Sequence, residues 1–71
     1  MTRESVKSRS IRGVGYSAET MTLEVEYIGG GVYQYLEVSA AEHAALMASE
    51  SKGQHVNQCI KARYAFRRVA A

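Results

Sequence analysis

The feature that most constrains this chain is residues 21–36, MTLEVEYIGGGVYQYL: an alternating strand, three glycines, then a second strand carrying Tyr33 and Tyr35 two apart. Leu23, Val25 and Tyr27 alternate with Thr22, Glu24 and Glu26. That period of two describes an antiparallel strand with one buried and one wet face. Glu24 and Glu26 are expected on the wet face as solubilising charges. Glycine admits positive φ, so residues 29–31 read as a hairpin turn.

The turn leaves two registers open. If Ile28 pairs with Gly31, then Val32, Gln34 and Leu36 face inward and both tyrosines face solvent. If Ile28 pairs with Val32, then Tyr27 sits opposite Tyr33, Val25 sits opposite Tyr35, and all face the core. A slip of one residue exchanges the two faces. The second register aligns aromatic and β-branched side chains across the pair, keeps Gln34 out of the core, and is preferred.

Before this hairpin, SIRGVGYS reads as a strand. Val14 and Tyr16 share a face, and Ile11 is out of phase unless a bulge sits at Gly13. Residues 1–9 are polar and charged and are expected to form a mobile arm, leaving 10–71 as a single domain. After the hairpin, Ser39 and Glu42 form a capping box ahead of the helix-favouring AAEHAALMAS. A narrow stripe of Ala41, Ala45, Leu46 and Ser49 is expected to pack on the sheet, and Gly53 to end the helix. A second, shorter helix follows over residues 54–62, with Val56, Cys59 and Ile60 on one face. The closing RYAFRRV is open between an edge strand and final helical turns, and its alternation with flanking charge favours the strand. The expected fold is α+β: a three-stranded antiparallel meander, with that optional fourth edge strand, packed against two helices.

With 71 residues and one cysteine, the chain has a modest core and no internal disulfide, so self-association is a reasonable expectation. No apolar run approaches the roughly 20 residues that span a bilayer, and the start lacks the apolar segment of a signal peptide. A cytoplasmic location without membrane partners is expected, which also suits a free thiol. The charge is segregated. Arg3, Lys7, Arg9 and Arg12 stand near one end. Six glutamates and no Lys or Arg fill residues 13–51. Lys52, Lys61, Arg63, Arg67 and Arg68 lie in an acid-free tail.

Taken together, these segments resemble the KTSC domain, a short family found as stand-alone bacterial proteins and at the C-terminus of some lysyl-tRNA synthetases. The resemblance runs from Ser10 to Val69. It is carried by Ser10-Ile11, Val14-Gly15-Tyr16, Leu23-x-Val25-x-Tyr27, the Tyr33-Gln34-Tyr35 centre, Val38, Ser51-Lys52-Gly53, Asn57, Ile60 and Tyr64. His43 stands where the family usually has a bulky aromatic or aliphatic residue, and Val56 where it favours phenylalanine. The resemblance implies a fold, a hint of RNA binding and no catalytic residues.

The residues themselves specify no reaction. His55 and Cys59 are four apart on a helix, the spacing of a thiolate–imidazole pair, but no orienting group or oxyanion site is marked. His43, His55 and Cys59 lack the paired spacing of a zinc site, so no metal or cofactor is expected. Ser49-x-x-Lys52 lacks the companion motifs of penicillin-recognising enzymes, and the triple glycine lacks the Lys-Ser/Thr of a phosphate loop. Nucleic-acid binding has more support. Lys61, Arg63, Arg67 and Arg68, with the N-terminal arm, could contact phosphate. Tyr33 and Tyr35 are either core residues or base-stacking platforms, and the acidic middle argues against the sheet face as the contact surface. The expectation is a non-enzymatic domain that binds RNA through its basic C-terminal segment. The alternative is a protein-interaction or self-associating module.

Overall fold

The computed structural model describes residues 3–70. Five strands form one antiparallel sheet in sequential order: β1 (Glu4–Ser5), β2 (Ile11–Ser17), β3 (Thr22–Tyr27), β4 (Val32–Tyr35) and β5 (Phe66–Ala70). Between β4 and β5 the chain forms α1 (Ala40–Ala48) and then α2 (Lys52–His55), which runs on into a π-helical turn, Val56–Ile60. The expected meander is β2–β3–β4, and the tail is an edge strand that begins at Phe66. The addition is β1. Part of the segment expected as a polar arm pairs with β2, with Glu4 opposite Val14 and Ser5 opposite Gly13.

Alternation along β2–β4 places Ile11, Val14, Leu23, Val25 and Tyr35 on one face of the sheet, where Val38, Leu46, Val56 and Ile60 complete the buried core. The bulge forms at Gly13: Ile11 pairs with Tyr27 and Gly13 with Glu26, so Ile11 and Val14 both reach the core. Neither expected hairpin register occurs. Val25 pairs with Tyr33 and Leu23 with Tyr35, two residues from the preferred pairing. The turn has the three residues of the preferred register but sits one place earlier in the chain. Tyr27 N–H donates to Gly31 C=O at 3.1 Å across a loop of residues 28–30, and Gly30 and Gly31 take φ of 102° and 92°. A slip of two preserves the faces, so the tyrosines still point to the helix side.

Ser39 caps α1, its hydroxyl accepting from the Glu42 N–H at 3.1 Å. The packed face of α1 differs from expectation. Leu46 is buried with Glu42, His43 and Met47 half-buried beside it, whereas Ala41 and Ala45 are exposed. The longer side chains, not the alanine methyls, make the contact with the core. His43 stacks on Tyr16 with ring centroids 4.6 Å apart and planes 8° from parallel, so a flat imidazole serves there as an aromatic contact. Gly53 does not end α1, which stops at Ala48. It lies in α2, where an added Cβ would overlap the Ser10 hydroxyl.

Candidate nucleic-acid interface

The helix-side face of β3, β4 and β5 gathers an aromatic cluster. Tyr33 lies opposite Val25 and Arg68, and Tyr35 opposite Leu23 and Phe66. Tyr27 and Tyr33 meet edge to face at 5.5 Å, and Phe66 meets Tyr33 at 5.9 Å and Tyr35 at 5.8 Å. Tyr35 is the buried member and Tyr33 is half-buried, while Phe66, on the edge strand, is 54% exposed. The phenol oxygens of Tyr27 and Tyr35 lie 2.8 Å apart, either able to donate. Burial pushes both phenols above their ordinary pKa. Tyr35 is thus a core residue, and Tyr33 carries the aromatic layer toward the surface.

Two of the four sequence-predicted cations join this cluster. Lys61 Nζ lies 5.9 Å from the Tyr27 ring centroid, and Arg68 Cζ lies 5.8 Å from that of Tyr33. Both are within cation–π range. Arg63 stands at the end of the helical segment, 5.9 Å from the Tyr64 ring and 3.8 Å from Glu42. Arg67 is elsewhere. Neighbours on a strand point to opposite faces, so Arg67 lies on the outer face. There its guanidinium donates to Gln34 Oε1 at 3.0 and 2.8 Å. The four cations do not form one surface.

The outer face holds a polar chain that the sequence did not reveal. Gln34 Nε2 donates to Glu24 Oε1 at 2.9 Å, and Arg3 donates to Glu24 Oε2 at 2.6 Å and approaches Glu26 at 3.2 Å. Arg3, Glu24, Gln34 and Arg67 therefore link the β1 end of the sheet to β5. Glu24 is only 6% exposed and is a buried, paired carboxylate rather than a solvated charge. Arg3 reaches it across Gly13, where an added Cβ would lie 3.4 Å from the Arg3 Cβ.

Elsewhere, His55 Nε2 lies 2.9 Å from Glu42 Oε2, so the imidazole has the orienting carboxylate that the sequence did not mark. Among the described residues, no hydrogen bond joins His55 to the half-buried Cys59, and no three His, Cys, Asp or Glu side chains gather as a metal site. The arrangement offers π surface and fixed positive charge. Among the described residues, no helix is long and apolar enough to cross a membrane.

A family model described as the KTSC domain matches residues 7–64. An uncharacterised protein from Stutzerimonas stutzeri is 39% identical over 61 residues, 86% of this chain and 86% of that protein. A lysine–tRNA ligase from Nostoc punctiforme is 35% identical over 60 residues, 84% of this chain but 11% of the ligase, so this chain spans about a tenth of that relative's length. The crystal structure of a KTSC domain protein from Yersinia pestis superposes with a TM-score of 0.93 at 32% identity, covering 96% of each chain.

Proposed function

This chain belongs to the KTSC family, and from that premise we propose that it is a non-enzymatic, cytoplasmic domain that binds single-stranded RNA. One observation carries the reading. Phe66 presents a ring at the β5 edge, over half exposed, with Tyr33 behind it and Arg68 and Lys61 flanking the cluster. An unpaired base stacks on Phe66, and the cations face the neighbouring phosphates. Tyr33 and Tyr35 hold the platform in place. Arg63 adds a phosphate contact, and Arg67 contributes charge from the other face.

The test is to titrate the labelled chain with a short single-stranded RNA and follow the backbone amide resonances. Shifts concentrated in residues 61–68 support the interface. Shifts confined to other segments remove it.

A second reading rests on the same edge. Among the described residues, β5 has no strand neighbour on its outer side and carries Phe66 and Val69 exposed, so it is able to pair with the β5 of a second copy. Sedimentation at low and moderate salt separates the two readings. An apolar dimer survives salt, whereas RNA binding weakens with it.

A further inference from the structure

The Ser10, Ser51-Lys52-Gly53 and Asn57 segments singled out in the sequence play no part in the aromatic cluster, yet the fold brings them together. They line a cleft of about 610 Å³ between residues 7–10 and the start of α2. Gly53 faces these serines directly: a Cβ there would overlap the Ser10 hydroxyl in its present rotamer and lie 3.8 Å from that of Ser8. Ser8 fixes the opposite wall, its Oγ accepting from the Ser10 and Ile11 N–H groups, each at 3.2 Å.

Three cations line the cleft, Lys7, Arg9 and Lys52, against one carboxylate, Glu50. Among the described residues, none of the three forms an ion pair. The Lys52 ammonium spends one donor on the Ser49 carbonyl at 3.0 Å and keeps two. The cleft also exposes the amides of Gln54 and Asn57 and the hydroxyl of Ser10. These are the donors a phosphate oxygen accepts from, and the surplus of two positive charges matches a phosphomonoester dianion. The volume lies within the range of small-molecule sites.

We propose that this cleft binds a phosphomonoester of nucleotide size. Its phosphoryl group sits among Arg9, Lys7 and Lys52, and the rest of the ligand lies toward Gln54 and Asn57. This inference does not rest on the RNA reading, because it uses none of Lys61, Arg63, Phe66 and Arg68. The same chemistry arrives as a free nucleotide or as the phosphorylated end of a strand.

The experiment is an amide-resonance titration of the full chain with adenosine monophosphate, with adenosine, and with one short oligonucleotide bearing either a 5′-phosphate or a 5′-hydroxyl. Saturable shifts at residues 8–10 and 51–57 are expected with the phosphorylated probes and not with their unphosphorylated counterparts. Arg9→Glu, an exposed position, should weaken binding by about tenfold or more and leave the spectrum folded. Lys52→Gln should weaken it less. Tighter binding of the 5′-phosphorylated strand than of the mononucleotide assigns the source to strand ends, and the reverse order assigns it to free nucleotides. The proposal is overturned if no phosphorylated probe shifts these amides, if adenosine shifts them equally, or if Arg9→Glu leaves the affinity unchanged.

Discussion

The phenol oxygens of Tyr27 and Tyr35 lie 2.8 Å apart although the residues sit four places out of register on β3 and β4. This bond ties the aromatic cluster to the core. Tyr35→Phe leaves the Tyr27 hydroxyl without that partner and should cost about 1–2 kcal/mol. Tyr35→Ala also opens a cavity and should cost about 3–5 kcal/mol, a large share of what a domain this small can hold. Thermal melts followed by circular dichroism check both. An unaltered Tyr35→Ala melt would contradict the structural role.

The same pair sets an alkaline limit. Both phenols are raised above 10.0 in the folded chain, chiefly by burial. The stability they confer is complete below that value. It is lost as the pH climbs beyond it toward the folded-state values, because the unfolded chain ionises first. The melting temperature should therefore fall above about pH 10, more steeply in wild type than in Tyr35→Phe. Identical slopes would refute the coupling.

Glu24 is paired with Arg3 at 2.6 Å while only 6% exposed. Arg3→Ala leaves that carboxylate with Gln34 alone and should destabilise by about 1–3 kcal/mol, well above an ordinary surface pair. Adding Glu24→Gln to Arg3→Ala should recover part of the loss. Urea melts of the wild type, the two single variants and the double variant measure the coupling, and additivity would sink the assignment.

The hairpin loop offers a matched pair. A Cβ at Gly29 or Gly30 would meet nothing within 4 Å, but only Gly30 has a positive φ, of 102°. Gly30→Ala should cost about 1–2 kcal/mol through backbone strain alone. Gly29→Ala should be neutral or stabilising by up to about 1 kcal/mol, since it only narrows the unfolded ensemble. Equal effects in melts would contradict the loop geometry.

Patterns of period two carried much of the fold. The bulge at Gly13 and the inward tyrosines followed from which residues alternate with which. The offset between β3 and β4 did not, because alternation encodes the face and three successive glycines let a three-residue loop close at 28–30 as well as at 29–31. Strand β1 was invisible for a related reason: two residues make no pattern, and with it went the burial of Glu24. Helix periodicity favours Ala41 and Ala45 as packing residues because it ignores side-chain reach, whereas the half-buried His43 and Met47 make up the packed face beside Leu46. Within the candidate site, alternation already separates Arg67 from Arg68, but composition alone grouped them. The cleft at Arg9 and Lys52 joins segments about forty residues apart, and no local spacing announces it.

The most direct test of the RNA reading is fluorescence anisotropy of a labelled single-stranded RNA, at low and moderate salt, with wild type, Phe66→Ala, and the chain carrying alanine at Lys61, Arg63, Arg67 and Arg68. The account predicts saturable binding that weakens steeply with salt. Phe66→Ala should lose about 1–3 kcal/mol of binding free energy, and the quadruple variant should not bind. Unchanged affinity in the quadruple variant, or no binding by wild type at low salt, would contradict it and move the function to the β5 edge as a protein contact.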